Sequence, residues 1–154
     1  MDRKRKILLI EDEQDSCFFT KMNLEKTGKF SVIALSDSQE AENACLREKP
    51  DLVLLDLVMP KKDGFHILKK FKDNPLIQKM PIIITSGLGR EAFLISQYDW
   101  SWKPKYFITD HYKEPIEESD AESGKPAYIV EAFLAKPYSA ETLRRTIEEV
   151  LREF

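Results

Sequence analysis

Three uninterrupted apolar runs, each stopped by acids or hydroxyls, constrain this chain more than any other feature. Ile7 to Ile10 runs into Glu11 and Asp12, Leu52 to Leu55 into Asp56, and Pro81 to Ile84 into Thr85 and Ser86. A strand with one wet face alternates apolar and polar residues, whereas these do not, so they read as strands buried on both faces of a parallel sheet. Helical signals separate them. Residues 14 to 27 carry Phe18, Phe19, Met22 and Leu24 and stop at Gly28, and 30 to 35 is strand-like. Residues 38 to 49 place Ala41, Ala44 and Cys45 on one face behind Ser38 as N-cap, with Pro50 as the stop. Ile67, Leu68 and Phe71 give a further helical face after a loop marked by Pro60 and Gly64. At the far end Ser139 caps a helix whose Leu143, Ile147, Val150 and Leu151 fall at i, i+4, i+7 and i+8. Alternating strands and helices predict right-handed βαβ units, and 154 residues suffice for one such domain.

Charge narrows the function classes. Twenty-four basic against 27 acidic residues give a net charge of −3, so the chain lacks the basic field that draws proteins to a phosphate backbone, and no direct nucleic-acid partner is expected. Cys17 and Cys45 are too few for a disulfide framework and read as buried free thiols. The basic start, Arg3 to Lys6, precedes only four apolar residues, too short a run for an export signal. No apolar stretch approaches the roughly 18 residues that span a bilayer. The expected compartment is the cytoplasm, with no membrane partner.

In a parallel sheet of this kind, ligands gather at the carboxyl ends of the strands. Glu11, Asp12, Asp56, Thr85, Ser86 and Lys136 all lie at such ends. Carboxylates meeting at one edge repel one another and resist desolvation, so they call for a cation. A hard ion such as Mg²⁺ takes one or two carboxylates plus waters and phosphate oxygens, and Glu11, Asp12 and Asp56 supply that inventory. Asp56, at the end of an apolar strand, is placed to attack phosphorus. The Ser86 hydroxyl and the Lys136 ammonium are then suited to phosphoryl oxygens.

These residues resemble the receiver domains of two-component response regulators. The resemblance rests on the acidic pair in LLIEDE, on PDLVLLDLVMPKKDG around Asp56, on PIIITSG and on FLAKPYS, and covers residues 6 to about 90 and 129 to 154. Asp12 to Asp56 is 44 residues and Asp56 to Ser86 is 30, the family's register. It implies a flavodoxin-like (βα)5 fold with a doubly wound five-stranded parallel sheet in the order 2-1-3-4-5. It further implies that Asp56 takes a phosphoryl group from a histidine kinase or phosphotransfer protein. Asp12, Asp56 and the backbone carbonyl of Val58 would ligate Mg²⁺, and Glu11 would act through a metal-bound water. Ser86 would be the switch hydroxyl, with Thr85 the second choice, and Lys136 would pair with the phosphoryl group. Pro137 would follow a cis peptide, and Phe133 would be the aromatic that rotates inward on activation. Such a domain is a phosphoacceptor that assists its own phosphorylation and dephosphorylation, not an enzyme with turnover.

One departure stands out. Ser86 to Lys136 is 50 residues, about 28 more than the resemblance implies and well beyond ordinary connections. Residues 88 to 135 hold nine of the 16 aromatics, and 110 to 125 hold six acids against two lysines. The sequence is therefore expected to form one receiver domain over 1–154 with an insertion at about 99–128 between strands 4 and 5, and no output domain. The insertion reads either as a local lid or as a surface for an output protein or self-association, with Trp100, Trp102, Tyr106 and Phe107 as anchors. Lys105 to Thr109 and Tyr128 to Val130 are strand-like and suited to pair as a hairpin. His66 and His111 lack neighbours at zinc-ligand spacing. Val58 and Leu88 offer no polar group to orient water, which favours slow dephosphorylation. Two rivals remain: a non-phosphorylated scaffold that signals through the insertion, and a small aspartyl phosphatase, although Val58 stands where the latter would want a second acid.

Overall fold

The computed structural model describes residues 3–56, 62–91, 93, 102–116 and 128–154. Five strands form the parallel core: β1 (Arg5–Ile10), β2 (Phe30–Leu35), β3 (Leu52–Asp56), β4 (Ile82–Ser86) and, last in the chain, β9 (Ala132–Ala135). Their order is β2-β1-β3-β4-β9, with every neighbouring pair parallel. This is the flavodoxin-like order expected from the sequence. Helices α1 (Gln14–Glu25), α2 (Ala41–Glu48), α3 (Lys62–Asp73) and α4 (Ala140–Leu151) cover it.

The unbroken apolar runs are explained by the pleat, which sends successive side chains to opposite faces. Leu8, Ile10, Val53, Leu55, Ile82 and Ile84 join one core with Ala44, Leu68 and Phe71 of α2 and α3. Ile7, Leu9, Leu52, Leu54 and Ile83 join the other with Leu24 of α1 and Leu143, Ile147 and Leu151 of α4. Arg5 and Lys6 of the basic start open β1, and Arg3 pairs with Asp51 at 2.9 Å. Among the described residues no helix is long and apolar enough to cross a membrane.

Helix ends follow local chemistry. Gly28, at φ 77°, takes the left-handed turn after α1. Ser139 caps α4, its side chain accepting from Thr142 N at 3.1 Å. At the start of the second helix the cap is Asp37 and not Ser38: Asp37 accepts from Gln39 N at 2.9 Å and a 3-10 turn over Ser38–Glu40 precedes α2. A carboxylate is as good a cap as a hydroxyl, and one residue upstream it wins. Cys45 is buried as expected, whereas Cys17 is only partly so.

Strands from the segment before β9 enlarge the sheet beyond five strands. Strand β6 (Tyr106–Ile108) pairs parallel with β9 and antiparallel with β7 (Lys113–Pro115), giving seven strands in the order β2-β1-β3-β4-β9-β6-β7. Strand β5 (Trp102–Pro104) pairs parallel with β8 (Tyr128–Val130) in a separate two-stranded sheet. The expected hairpin between 105–109 and 128–130 is therefore not formed. Thr109 closes a tighter turn instead: its hydroxyl accepts from His111 N at 3.0 Å and Tyr112 N at 3.2 Å, and its N–H donates to Tyr112 O at 2.9 Å. Such local closure costs less chain entropy than pairing across the acidic stretch.

Candidate functional site

The carboxyl ends of β1, β3, β4 and β9 bring the candidate residues to one edge. Asp56 ends β3 with its side chain 9% exposed, and Lys136, first residue after β9, places its ammonium 2.5 Å from Asp56 Oδ2. Glu11 is 4% exposed, accepts from Glu13 N at 3.0 Å, and lies close enough to Asp56 for the two carboxyls to interact. Burial first and the Asp56 carboxyl second push Glu11 up to about 8 from its ordinary 4.5, against a smaller downward pull from Lys136. Asp12 is exposed beside it. Val58 lies outside the described residues.

Strand alternation separates the two hydroxyls. Ile84 and Phe133 are register partners, and Ser86 pairs with Ala135, so Ser86 lies on Phe133's face of the sheet. Thr85 pairs with Asp56 and Leu134 and lies on the other face, that of α1 and α4. Ser86 is fully buried; its hydroxyl accepts from Leu88 N at 3.3 Å and its carbonyl accepts from Lys136 N at 2.7 Å. The Lys136–Pro137 peptide is cis.

Phe133 lies wholly inside. Its ring stacks on Phe107 at 5.3 Å and 10°, meets Phe93 at 4.9 Å, and lies 6.2 Å from Trp102. Two of these three rings, Phe107 and Trp102, come from the 99–128 segment. Trp102 and Phe107 are 0% and 1% exposed, which corrects their reading as partner anchors: Phe107 on β6, beside β9, and Trp102 on β5 both turn into the core that holds Phe133. Trp100 lies outside the described residues, and Tyr106 is half-buried under the Lys113 ammonium, 4.2 Å from its ring centre. Two ion pairs hold the hairpin to the body, Arg90 with Glu114 in two bonds of 2.7 Å and Lys113 with Glu149 at 3.1 Å.

The sequence reading passed over Tyr138. This residue lines, with Asp56, Lys136, Ser16 and Phe19, a cavity of about 350 Å³ between α1 and the start of α4. Burial, with Asp56 a second cause, pushes its hydroxyl up to about 12, against a smaller downward pull from Thr85. A position two residues beyond Lys136 in the same loop was the available signal. A larger hollow of about 570 Å³ beside His66, Lys69 and Asn74 contains none of the strand-end residues.

Among the described residues no three of His, Cys, Asp or Glu converge as a metal cluster. The buried Glu11 and Asp56 carboxyls nevertheless form a hard-oxygen pair whose mutual repulsion a divalent cation relieves, and one Mg²⁺ ordinarily needs only one or two carboxylates, with water filling the rest. The donor set fits the ion.

A doubly wound sheet with a lysine-paired carboxylate at its switch edge defines a class of phosphoacceptor fold. The comparisons agree. A model of the response regulator receiver domain family matches residues 7–101, and the chain belongs to that family. It is 36% identical over 87 residues to the alkaline phosphatase synthesis transcriptional regulatory protein PhoP of Bacillus subtilis, covering 56% of this chain and 35% of PhoP. It is 29% identical over 152 residues to "Probable transcriptional regulator ycf27" of Guillardia theta, covering 99% of this chain and 47% of that protein. The chain thus spans half or less of the length of these curated relatives. Among solved structures, a response regulator from Desulfuromonas acetoxidans superposes with TM-score 0.67 at 21% identity, covering 97% of this chain and 98% of that one. The chemotaxis protein CheY4 of Vibrio cholerae gives 0.65 at 18%, covering 96% and 99%. At such identities the superpositions show the fold alone.

Proposed function

We propose that Asp56 accepts a phosphoryl group from the phosphohistidine of a histidine kinase or phosphotransfer protein, and that the chain thereby switches a protein-binding surface. The single observation that carries this is the Lys136 ammonium held 2.5 Å from a mostly buried strand-end carboxylate that borders a solvent-facing cavity. An Asp56 oxygen forms the new P–O bond while the P–N bond to the donor imidazole breaks, and the electron pair leaves with the imidazole. The transferring group has little covalent chemistry for the protein to do, so alignment and charge dominate. Lys136 turns from the carboxylate to a phosphoryl oxygen, and Ser86 offers its hydroxyl to another. Mg²⁺, when bound, neutralises charge between carboxylates and phosphoryl oxygens. Asp12, Asp56 and the Val58 carbonyl would hold the ion, with Glu11 acting through a water. The test is mass spectrometry after incubation with acetyl phosphate and Mg²⁺, which should show one added phosphoryl group per chain.

The donor's docking face is assigned to α1. Phe18 and Phe19 are 66% and 60% exposed and Met22 43%, an unusual density of apolar surface on one helix, and Phe19 also borders the Asp56 cavity. Replacing Phe18 and Met22 together by Ser should slow transfer from the cognate kinase about tenfold, the effect of losing a modest interface hot spot. Labelling by acetyl phosphate should stay at the wild-type rate. Equal slowing of both donors would place the defect in the site and not in docking.

The Glu11 carboxyl gives a pH test of the metal. In magnesium-free buffer the folded chain binds a proton there between about pH 4.5 and 8 that the unfolded chain does not. Stability should therefore fall as pH rises through that window. Added Mg²⁺ should raise the melting temperature more at pH 8 than at pH 5, and Asp12→Ala should weaken the Mg²⁺ response. A pH-independent Mg²⁺ shift would separate the ion from these carboxyls.

Residues 1–154 are read as one receiver unit acting in the cytoplasm, with the insertion inside it. Output through the insertion, to an output protein or to a second copy, is carried by β6, which is hydrogen-bonded to the strand bearing Phe133.

A further inference from the structure

Asp110 sits on the turn between β6 and β7, beyond the residues 7–101 that the family model matches. Its carboxylate accepts from Ser139 N at 2.8 Å, a bond between residues 29 positions apart. Ser139 is the N-cap of α4 and closes the loop that begins at Lys136. At the other end of that loop Lys136 N donates to Ser86 O at 2.7 Å. The loop is thus held at its first residue by β4 and at its last by Asp110. The anchor is itself firm, because the Thr109 hydroxyl closes the turn by accepting from His111 N and Tyr112 N. A negative charge also suits the amino end of a helix, and the Ser139 N–H is the first cause that keeps the Asp110 carboxyl below the ordinary carboxylate range.

A lysine ammonium rides on a flexible four-carbon stem, so its reach is set by where its backbone is held. When Asp56 takes a phosphoryl group, the ammonium must leave the carboxylate oxygen for a phosphoryl oxygen, and the ion pair with Asp56 no longer steadies the loop. The two backbone anchors remain. We propose that Asp110 is a positioning residue: by accepting from Ser139 N it fixes the loop from which Lys136 meets the phosphoryl group on Asp56. The inference rests on the Asp56 reading above and adds to it a residue that acts through Lys136 from outside the matched stretch.

The test is the initial rate of Asp56 phosphorylation at rising acetyl phosphate concentration with Mg²⁺, for wild type, Asp110→Ala, Asp110→Asn and Glu149→Gln, each shown to be folded by its melting curve. Loss of the Ser139 bond in Asp110→Ala should lower the maximal rate roughly fivefold, with the half-saturating concentration unchanged. Asp110→Asn keeps an oxygen that accepts from the same N–H and should stay within about twofold of wild type. Glu149→Gln loosens the hairpin at the Lys113 ion pair without touching the loop, and should leave the rate unchanged. A wild-type rate in Asp110→Ala, an Asn variant as slow as the Ala one, or equal slowing in Glu149→Gln would overturn the inference while leaving Asp56 as the acceptor. A wild-type chain that takes up no phosphoryl group would overturn the Asp56 reading and this inference with it.

Discussion

Asp56→Asn should take up no phosphoryl group from acetyl phosphate under conditions that label the wild type fully. The amide keeps the size of the carboxyl and can still face Lys136, so the fold survives, but its oxygen lacks the charge and nucleophilicity to attack phosphorus. Asp12 cannot substitute, being exposed on the loop beyond β1 rather than seated at the Lys136 pair. Equal labelling of the variant would move the acceptor elsewhere and revive the scaffold reading. Repeated turnover of acetyl phosphate far beyond one equivalent, lost in the variant, would instead favour the phosphatase.

The second large effect concerns the insertion. Phe107→Ala should destabilise the chain by about 3–5 kcal/mol, the usual cost of emptying a buried aromatic site. The ring is 1% exposed and contacts Phe93 at 4.8 Å and Phe133 at 5.3 Å, so its removal leaves a void at the centre of the aromatic cluster that neither neighbour fills without leaving its own site. The melting temperature should fall by about 10 °C or more. Tyr112→Ala serves as the contrast: it stacks on the same ring at 6.2 Å but is 42% exposed, and should cost far less. A Phe107→Ala protein as stable as wild type would mean that the hairpin contributes nothing to the core.

The parallel core and the acidic edge were legible because their signals are local and redundant. An apolar run of four residues followed by an acid specifies a buried strand and what stands at its end, and Asp56, Glu11 and Lys136 meet where that logic places them. The insertion was not legible in the same way. Tyr106 to Ile108 is as strand-like as Tyr128 to Val130, and alternation alone does not choose a partner for either. The choice was made by the Thr109 turn and by Glu131, a single residue between β8 and β9 whose N–H donates to Ile82 O at 3.0 Å and whose carboxylate accepts from Ile82 N at 2.7 Å. Those bonds fix where the chain leaves the small sheet and enters the large one, and they join residues 49 positions apart. Tyr138 lies two residues beyond Lys136, but only the folded chain brings it to the cavity that Asp56 lines.

The β6–β7 hairpin also changes the mechanical situation of β9. Without it, β9 would be a border strand with one row of backbone groups facing water, free to shift at little cost. With β6 bonded along Phe107 and Ile108, β9 is an inner strand, and the border has moved to Lys113–Pro115, a short charged stretch ending in a residue without an N–H, poorly suited to recruit another strand. Any displacement of Phe133 or Lys136 must then carry the hairpin along or break the hydrogen bonds that join them. Amide hydrogens of β6 should accordingly exchange at the pace of the central strands, and a change in their exchange on phosphorylation would register strain passing through the sheet itself.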